Sequence, residues 1–168
     1  MKQTLKYKDQ RVGVFLDVQN IYHSAKSLYQ KRANFKEILK TAVAGRKLIR
    51  AIAYGIRTES GEETAFFDAL EHIGIEVKLK DLQIFPGGIK KADWDVGLAI
   101  DAVRLSSSMD AIVIVSGDGD YVPLIEYIKF TQGCRAEAIG FGESTSNKLK
   151  LVVDDFTDLS ENLKEYLI

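Results

Sequence analysis

Two short segments of this 168-residue chain carry carboxylates in a pattern suited to holding a metal ion. One reads Phe15-Leu16-Asp17-Val18-Gln19-Asn20 and the other Val115-Ser116-Gly117-Asp118-Gly119-Asp120, and each begins inside an apolar run. A third acidic position, Asp95, opens Asp95-Val96-Gly97-Leu98-Ala99-Ile100-Asp101-Ala102-Val103, which as a helix is apolar nearly all round. Acidic groups on such a helix need a partner. If three ionised carboxylates meet at about 5 Å, each pair repels by roughly 3 kcal/mol at an effective dielectric near 20. A divalent cation removes that cost. An all-oxygen donor set suits a hard ion, Mg²⁺ or Mn²⁺, whose remaining positions stay open to water and a phosphate. The candidate ligands are Asp17, Asp95, Asp118 and Asp120.

Competing roles exist for some of these residues. Asp120 and Asn20 stand where a helix begins and could serve as caps, or Asn20 could position a water. Asp101 lies six residues after Asp95, about 240° around a helix, so it cannot share that face and is read as structural. Asp118-Gly119-Asp120 begins like a calcium loop, but Pro123 and Lys129 occupy positions that require Gly and Glu. With two His and the single Cys134, a zinc framework is excluded. His23 and His72 are expected at the surface, and Cys134 as a small packed side chain.

The elements that must present these groups follow from periodicity. Val12–Leu16 and Ala111–Val115 are apolar without alternation, as central parallel strands are. Leu48–Ile56 is similar. Ile75–Lys80 and Arg135–Ile139 alternate, which predicts half-exposed edge strands. In chain order these five runs fit a mainly parallel sheet with spatial order 3-2-1-4-5, whose winding reverses between the first and fourth strands. A crevice opens there at their carboxyl ends, so Asp17 and Asp118 are expected to share it. Helices are predicted over 21–31, 35–43, 62–72, 95–105, 121–131, 144–151 and 159–167. Asn34 with Glu37 resembles a capping box, and Pro86-Gly87-Gly88 predicts a turn that ends a hairpin or extended arm spanning Asp81–Phe85.

Composition sets the outer limits. Hydrophobic residues make up 46% of the chain, and 23 basic against 24 acidic residues give a net charge of −1. One soluble domain of this size buries roughly 70% of its unfolded surface and needs no staple. No apolar stretch is long enough to span a bilayer and no leader is evident, so a cytoplasmic location is expected. Near-neutral charge assigns any nucleic-acid affinity to local basic clusters.

The three acidic segments, with Tyr121 and Pro123-Leu124 after the last, occur in the order found in a known family. The chain resembles the NYN domains, LabA-like branch, of the PIN-like nuclease superfamily over roughly residues 11–156. The resemblance implies an α/β, three-layer α/β/α PIN-like fold; outside it, residues 1–10 are expected as a tail and 157–168 as a C-terminal helix packing on the domain. It also implies a metal-dependent ribonuclease site at Asp17, Asp95, Asp118 and Asp120. The family usually has a Lys three residues before the middle Asp. Here Ala92 stands there with Lys91 before it, and Asp93 and Trp94 are atypical, so Asp93 could compete with Asp95.

The expected reaction is hydrolysis of RNA phosphodiesters by a water that the bound cation makes acidic, needing no His or Ser nucleophile. Asn20 and Ser116 are candidates for holding the phosphate or the water. Lys78, Lys80, Lys90 and Lys91, beside Arg57, form the best basic group for RNA, with Phe85 and Trp94 available to stack unpaired bases. The rival functions are a non-catalytic adaptor that binds RNA or protein, which leaves a homodimer open, and a phosphohydrolase with a phosphoaspartate intermediate. The last usually has a second Asp where Gln19 stands.

Overall fold

The apolar run before Asp17 forms the strand β1 (Arg11–Asp17), buried from Val12 onward. A computed structural model describes residues 6–88, 90–91 and 93–168 of the chain; residues 1–5 of the expected tail, and Ala92, lie outside them. After β1 come α1 (Val18–Tyr29), α2 (Phe35–Val43), β2 (Lys47–Arg57), α3 (Thr64–His72), β3 (Glu76–Asp81), β4 (Gln83–Ile84) and β5 (Lys90–Lys91). The second half holds α4 (Asp95–Ser106), β6 (Ala111–Val115), α5 (Val122–Thr131), β7 (Arg135–Gly140), α6 (Asn147–Val152), β8 (Asp155–Asp158) and α7 (Leu163–Tyr166).

The main sheet has the order β3-β2-β1-β6-β7-β8, with every pairing parallel. The five expected strands take the expected order, and the correction is a sixth, β8, added beyond the fifth. The fold is α/β, with helices on both faces of the sheet. Val12, Val14 and Leu16 point into a core shared with Ile21, Ile38 and Phe67 on one side. Phe15, Ile112 and Ile114 point into the other with Leu98, Ile125 and Leu149. Two-sided burial is why β1 and β6 read as unbroken apolar runs.

Because β8 covers β7, the expected edge character of that strand is also corrected. Ala136, Glu137, Ala138 and Ile139 are all buried. The apparent alternation came from Glu137, which is held inside by two hydrogen bonds from the Arg46 guanidinium at 2.7 and 3.0 Å and one from Arg135 at 2.9 Å. A buried carboxylate is tolerable when its charge and lone pairs are so matched.

Helix ends follow local chemistry. Asn34 caps α2 by accepting from the Glu37 amide, as the spacing implied. The turn at Pro86-Gly87-Gly88 separates β4 from β5, which pair antiparallel as a hairpin, and both glycines have positive φ, as such a turn demands. On the exposed side of α4, Val96 and Ile100 face solvent, so that helix is not buried all round. The predicted last helix is divided into a 3-10 turn, Leu159–Asn162, and α7, and Tyr166 joins its hydroxyl to that of Thr41 at 2.8 Å. No helix among the described residues is long and apolar enough to cross a membrane.

Candidate metal centre

Asp17 ends β1 and, as the residue before α1, directs its carboxylate into the crevice beside β6. One oxygen, Oδ1, accepts from the Asn20 amide at 3.2 Å and so caps α1. The other, Oδ2, accepts from Ser116 Oγ at 3.0 Å and from the Tyr121 hydroxyl at 3.3 Å. Asp118 begins a 3-10 turn, Gly119–Tyr121, and its Oδ1 accepts from the Asp120 amide at 2.9 Å. Asp95 is the first residue of α4, whose N-terminal amides favour a negative charge. The Asp95 amide itself donates to Asp93 Oδ1 at 2.7 Å.

These elements bring Asp17, Asp95 and Asp118 together: one carboxylate oxygen from each lies within 4.8 Å of the others. They line a cleft of about 250 Å³ with Gln19, Asn20, His23, Tyr54, Asp93 and Trp94. The ion pairs found among the described residues all lie elsewhere, so none of them joins a Lys, Arg or His to the three. The electrostatic consequence is visible in their acidity. Burial raises the Asp17 pKa, aided by the charge of Asp118 and opposed by the hydrogen bonds from Asn20, Ser116 and Tyr121. Burial, then the charges of Asp93, Asp118 and Asp17, pushes Asp95 up to about 6. Carboxylates that repel one another, with oxygen donors only and no cationic partner among the described residues, fit a hard divalent cation.

Tyr121 was noted in the sequence only as part of the family pattern, with no role at the site. Its hydroxyl stands 3.1 Å from Asp95 Oδ1 as well as 3.3 Å from Asp17 Oδ2, one proton facing two acceptors. Burial and those two charges raise its pKa above the ordinary phenol range, so it remains a donor.

The other expected residues take varied places. Asp120 is exposed and outside the group of three; it is Asp118 that caps the turn. Asn20 caps nothing in α1. Its Oδ1 accepts from the Gly117 amide at 2.9 Å, tying the end of β1 to that of β6. Ser116 is fully buried beneath Asp17, and its oxygen also accepts from the Asp118 amide at 3.1 Å, so it touches two of the three acidic residues and does not face the cleft. Asp101 lies apart, accepting from Tyr54 Oη at 2.8 Å and Lys78 Nζ at 2.6 Å. Lys80 donates to the Asp93 carbonyl at 2.9 Å and stands 4.5 Å over the Trp94 ring. Trp94 is anchored by its Nε1 on the Gly55 carbonyl at 2.8 Å, and its ring lies where a side chain at Gly97 would be. Lys90 and Lys91 form the returning hairpin strand. His23 is at the surface as expected, yet it also lines the cleft, where its Nε2 meets Gln19 Oε1 at 2.8 Å.

Comparison with known proteins agrees with this architecture. The chain is 23% identical over 172 residues to the low amplitude and bright protein LabA of Synechococcus elongatus, covering 94% of this chain and 88% of that one. A crystal structure of a protein of unknown function from Vibrio parahaemolyticus superposes with a TM-score of 0.87 at 27% identity, covering 98% of this chain and all of the other. The family model described as NYN domain matches residues 11–161, and with the PIN-like arrangement of sheet and helices this places the chain in the NYN domain family.

Proposed function

We propose that this protein is a ribonuclease that hydrolyses RNA phosphodiester bonds with Mg²⁺ or Mn²⁺ held by Asp17, Asp95 and Asp118. The observation that carries the proposal is the convergence of three carboxylate oxygens within 4.8 Å at the switch point of the sheet, with no ion pair to them among the described residues. When bound, a divalent cation supplies a Lewis acid for phosphate oxygens and lets water act as a nucleophile near neutral pH. The chain's own residues do the positioning. Ser116 and Tyr121 fix the rotamers of Asp17 and Asp95, and Asn20 locks the two strand ends together. Asp120, beside the group on an exposed turn, acts from outside the three ligands. Lys80 and Trp94, with Lys90 and Lys91 of the hairpin, are assigned to hold the RNA strand, while Lys78 is committed to Asp101. Such an enzyme works in the cytoplasm, where its substrate is.

The test is degradation of RNA in Mg²⁺ or Mn²⁺ by the wild type and by folded Asp17→Asn and Asp118→Asn proteins. Turnover confined to the wild type and abolished by chelation is the expected result. RNA binding without turnover would make the protein an adaptor, and release of phosphate from small monoesters alone would make it a phosphohydrolase.

A further inference from the structure

A second cavity, about 440 Å³, adjoins the carboxylate cleft, and Gln19 and His23 line both. Its volume is that of an ordinary small-ligand site. The floor is apolar and aromatic: Phe35, Ile56, Phe66 and Phe67, with the Phe35 and Phe66 rings 5.5 Å apart. The rim is polar and charged. Tyr22 is 45% exposed there, edge-on to His23 with centroids 5.4 Å apart. Arg32 and Glu62 are exposed rim residues too, and neither side chain has a hydrogen-bond or ion-pair partner among the described residues.

A flat apolar body with hydrogen-bonding edges and an anionic link at one end matches that surface, and an unpaired nucleotide has this chemistry. We propose that, in a single strand of RNA cut at the carboxylate cleft, the nucleotide flanking the scissile phosphate is seated in this groove. Its base lies against the aromatic floor beside the exposed Tyr22 ring, its hydrogen-bond donor edge faces Glu62, and its outer phosphate meets Arg32. A base inside a duplex has both faces stacked and cannot reach such a floor. The proposal rests on the carboxylate cleft being the nuclease centre, because the shared ridge of Gln19 and His23 is what joins the groove to the strand being cut.

The test is fluorescence anisotropy in EDTA, so that binding is read without turnover, using a short labelled single-stranded RNA and a blunt duplex of the same sequence. Tyr22→Ala and Arg32→Gln change exposed side chains and should leave the fold intact. Each is expected to weaken single-strand binding by about tenfold, the usual loss for one stacking or phosphate contact, while Tyr127→Ala on the far helix α5 has no effect. Equal single-strand affinity in the wild type and both variants, tighter binding of the duplex, or no binding by the wild type overturns the proposal. Turnover in Mg²⁺ is measured in parallel. Cleavage indifferent to both substitutions removes the groove and keeps the nuclease, whereas groove-dependent binding without any cleavage keeps the groove and removes the nuclease.

Discussion

The Ser116 hydroxyl donates to Asp17 Oδ2 at 3.0 Å, joining the ends of two neighbouring strands across 99 residues of sequence. Both groups are buried, so the bond has no water to replace it. Ser116→Ala is therefore expected to cost about 1–2 kcal/mol, a melting-point drop of about 2–6 °C for a chain of this size. It should also weaken Mn²⁺ binding, because Asp17 loses a group that stabilises its charged form. Thermal melts with and without Mn²⁺ read both effects.

Asp95 gives a dependence on pH with a definite sign. Its folded-state pKa is raised to about 6, chiefly by burial, whereas the unfolded chain titrates near the ordinary value of about 3.9. Stability from this group is complete below the unfolded value and is lost as pH rises through about 6. Asp95→Asn should remove that loss and stabilise the metal-free protein at pH 8 by about 1 kcal/mol, a figure discounted for solvent screening of a partly exposed group. The same substitution should abolish stabilisation by Mn²⁺. In the wild type that stabilisation should grow as pH rises through about 6, since the cation competes with the proton. Urea denaturation in EDTA and in Mn²⁺ across that range checks each sign.

Asp101 should behave in the opposite way. Burial opposes its charge, but the hydrogen bonds from Lys78 and Tyr54 hold its pKa below the ordinary range. Its stability contribution is present above the unfolded value and lost as pH falls through the folded one. Asp101→Asn is expected to destabilise by about 1 kcal/mol near neutral pH and to leave Mn²⁺ affinity as in the wild type. Isothermal titration with Mn²⁺ distinguishes it from Asp17, Asp95 and Asp118.

The Arg46 side chain is buried against Glu137, with their closest atoms 2.7 Å apart. Glu137→Leu alone leaves a buried guanidinium without its carboxylate and should cost about 3–5 kcal/mol. The double variant Arg46→Leu/Glu137→Leu should recover much of that loss, which urea denaturation of the three proteins would show.

The parts of the fold that could be read from sequence were those where one physical cause dominates. Two-sided burial marked β1 and β6, and the capping pair Asn34/Glu37 marked the start of α2. Strand β8 was invisible because Asp155-Phe156-Thr157-Asp158 has neither an apolar run nor clean alternation, and it becomes a strand by pairing with β7. Glu137 looked like a solvent-facing residue because its partner Arg46 is 91 positions away. In the site, strand ends and a helix start pointed to Asp17, Asp118 and Asp95, but no pattern could aim the Tyr121 hydroxyl, whose direction is set by the 3-10 turn. Nor does a Lys in sequence announce its partner, as Lys78 on Asp101 shows.

The pairing of β1 with β6 joins Asp17 to Asp118 across a long stretch of intervening chain. Parallel pairing over such a separation is slow to form, since the loop must close before its contacts repay the entropy. A ribosome-bound fragment that stops before Ala111 would carry Asp17 and Asp95 but lack both the third carboxylate and the strand beside which the first is arranged. The proposed metal centre would thereby stay incomplete until synthesis has passed that point.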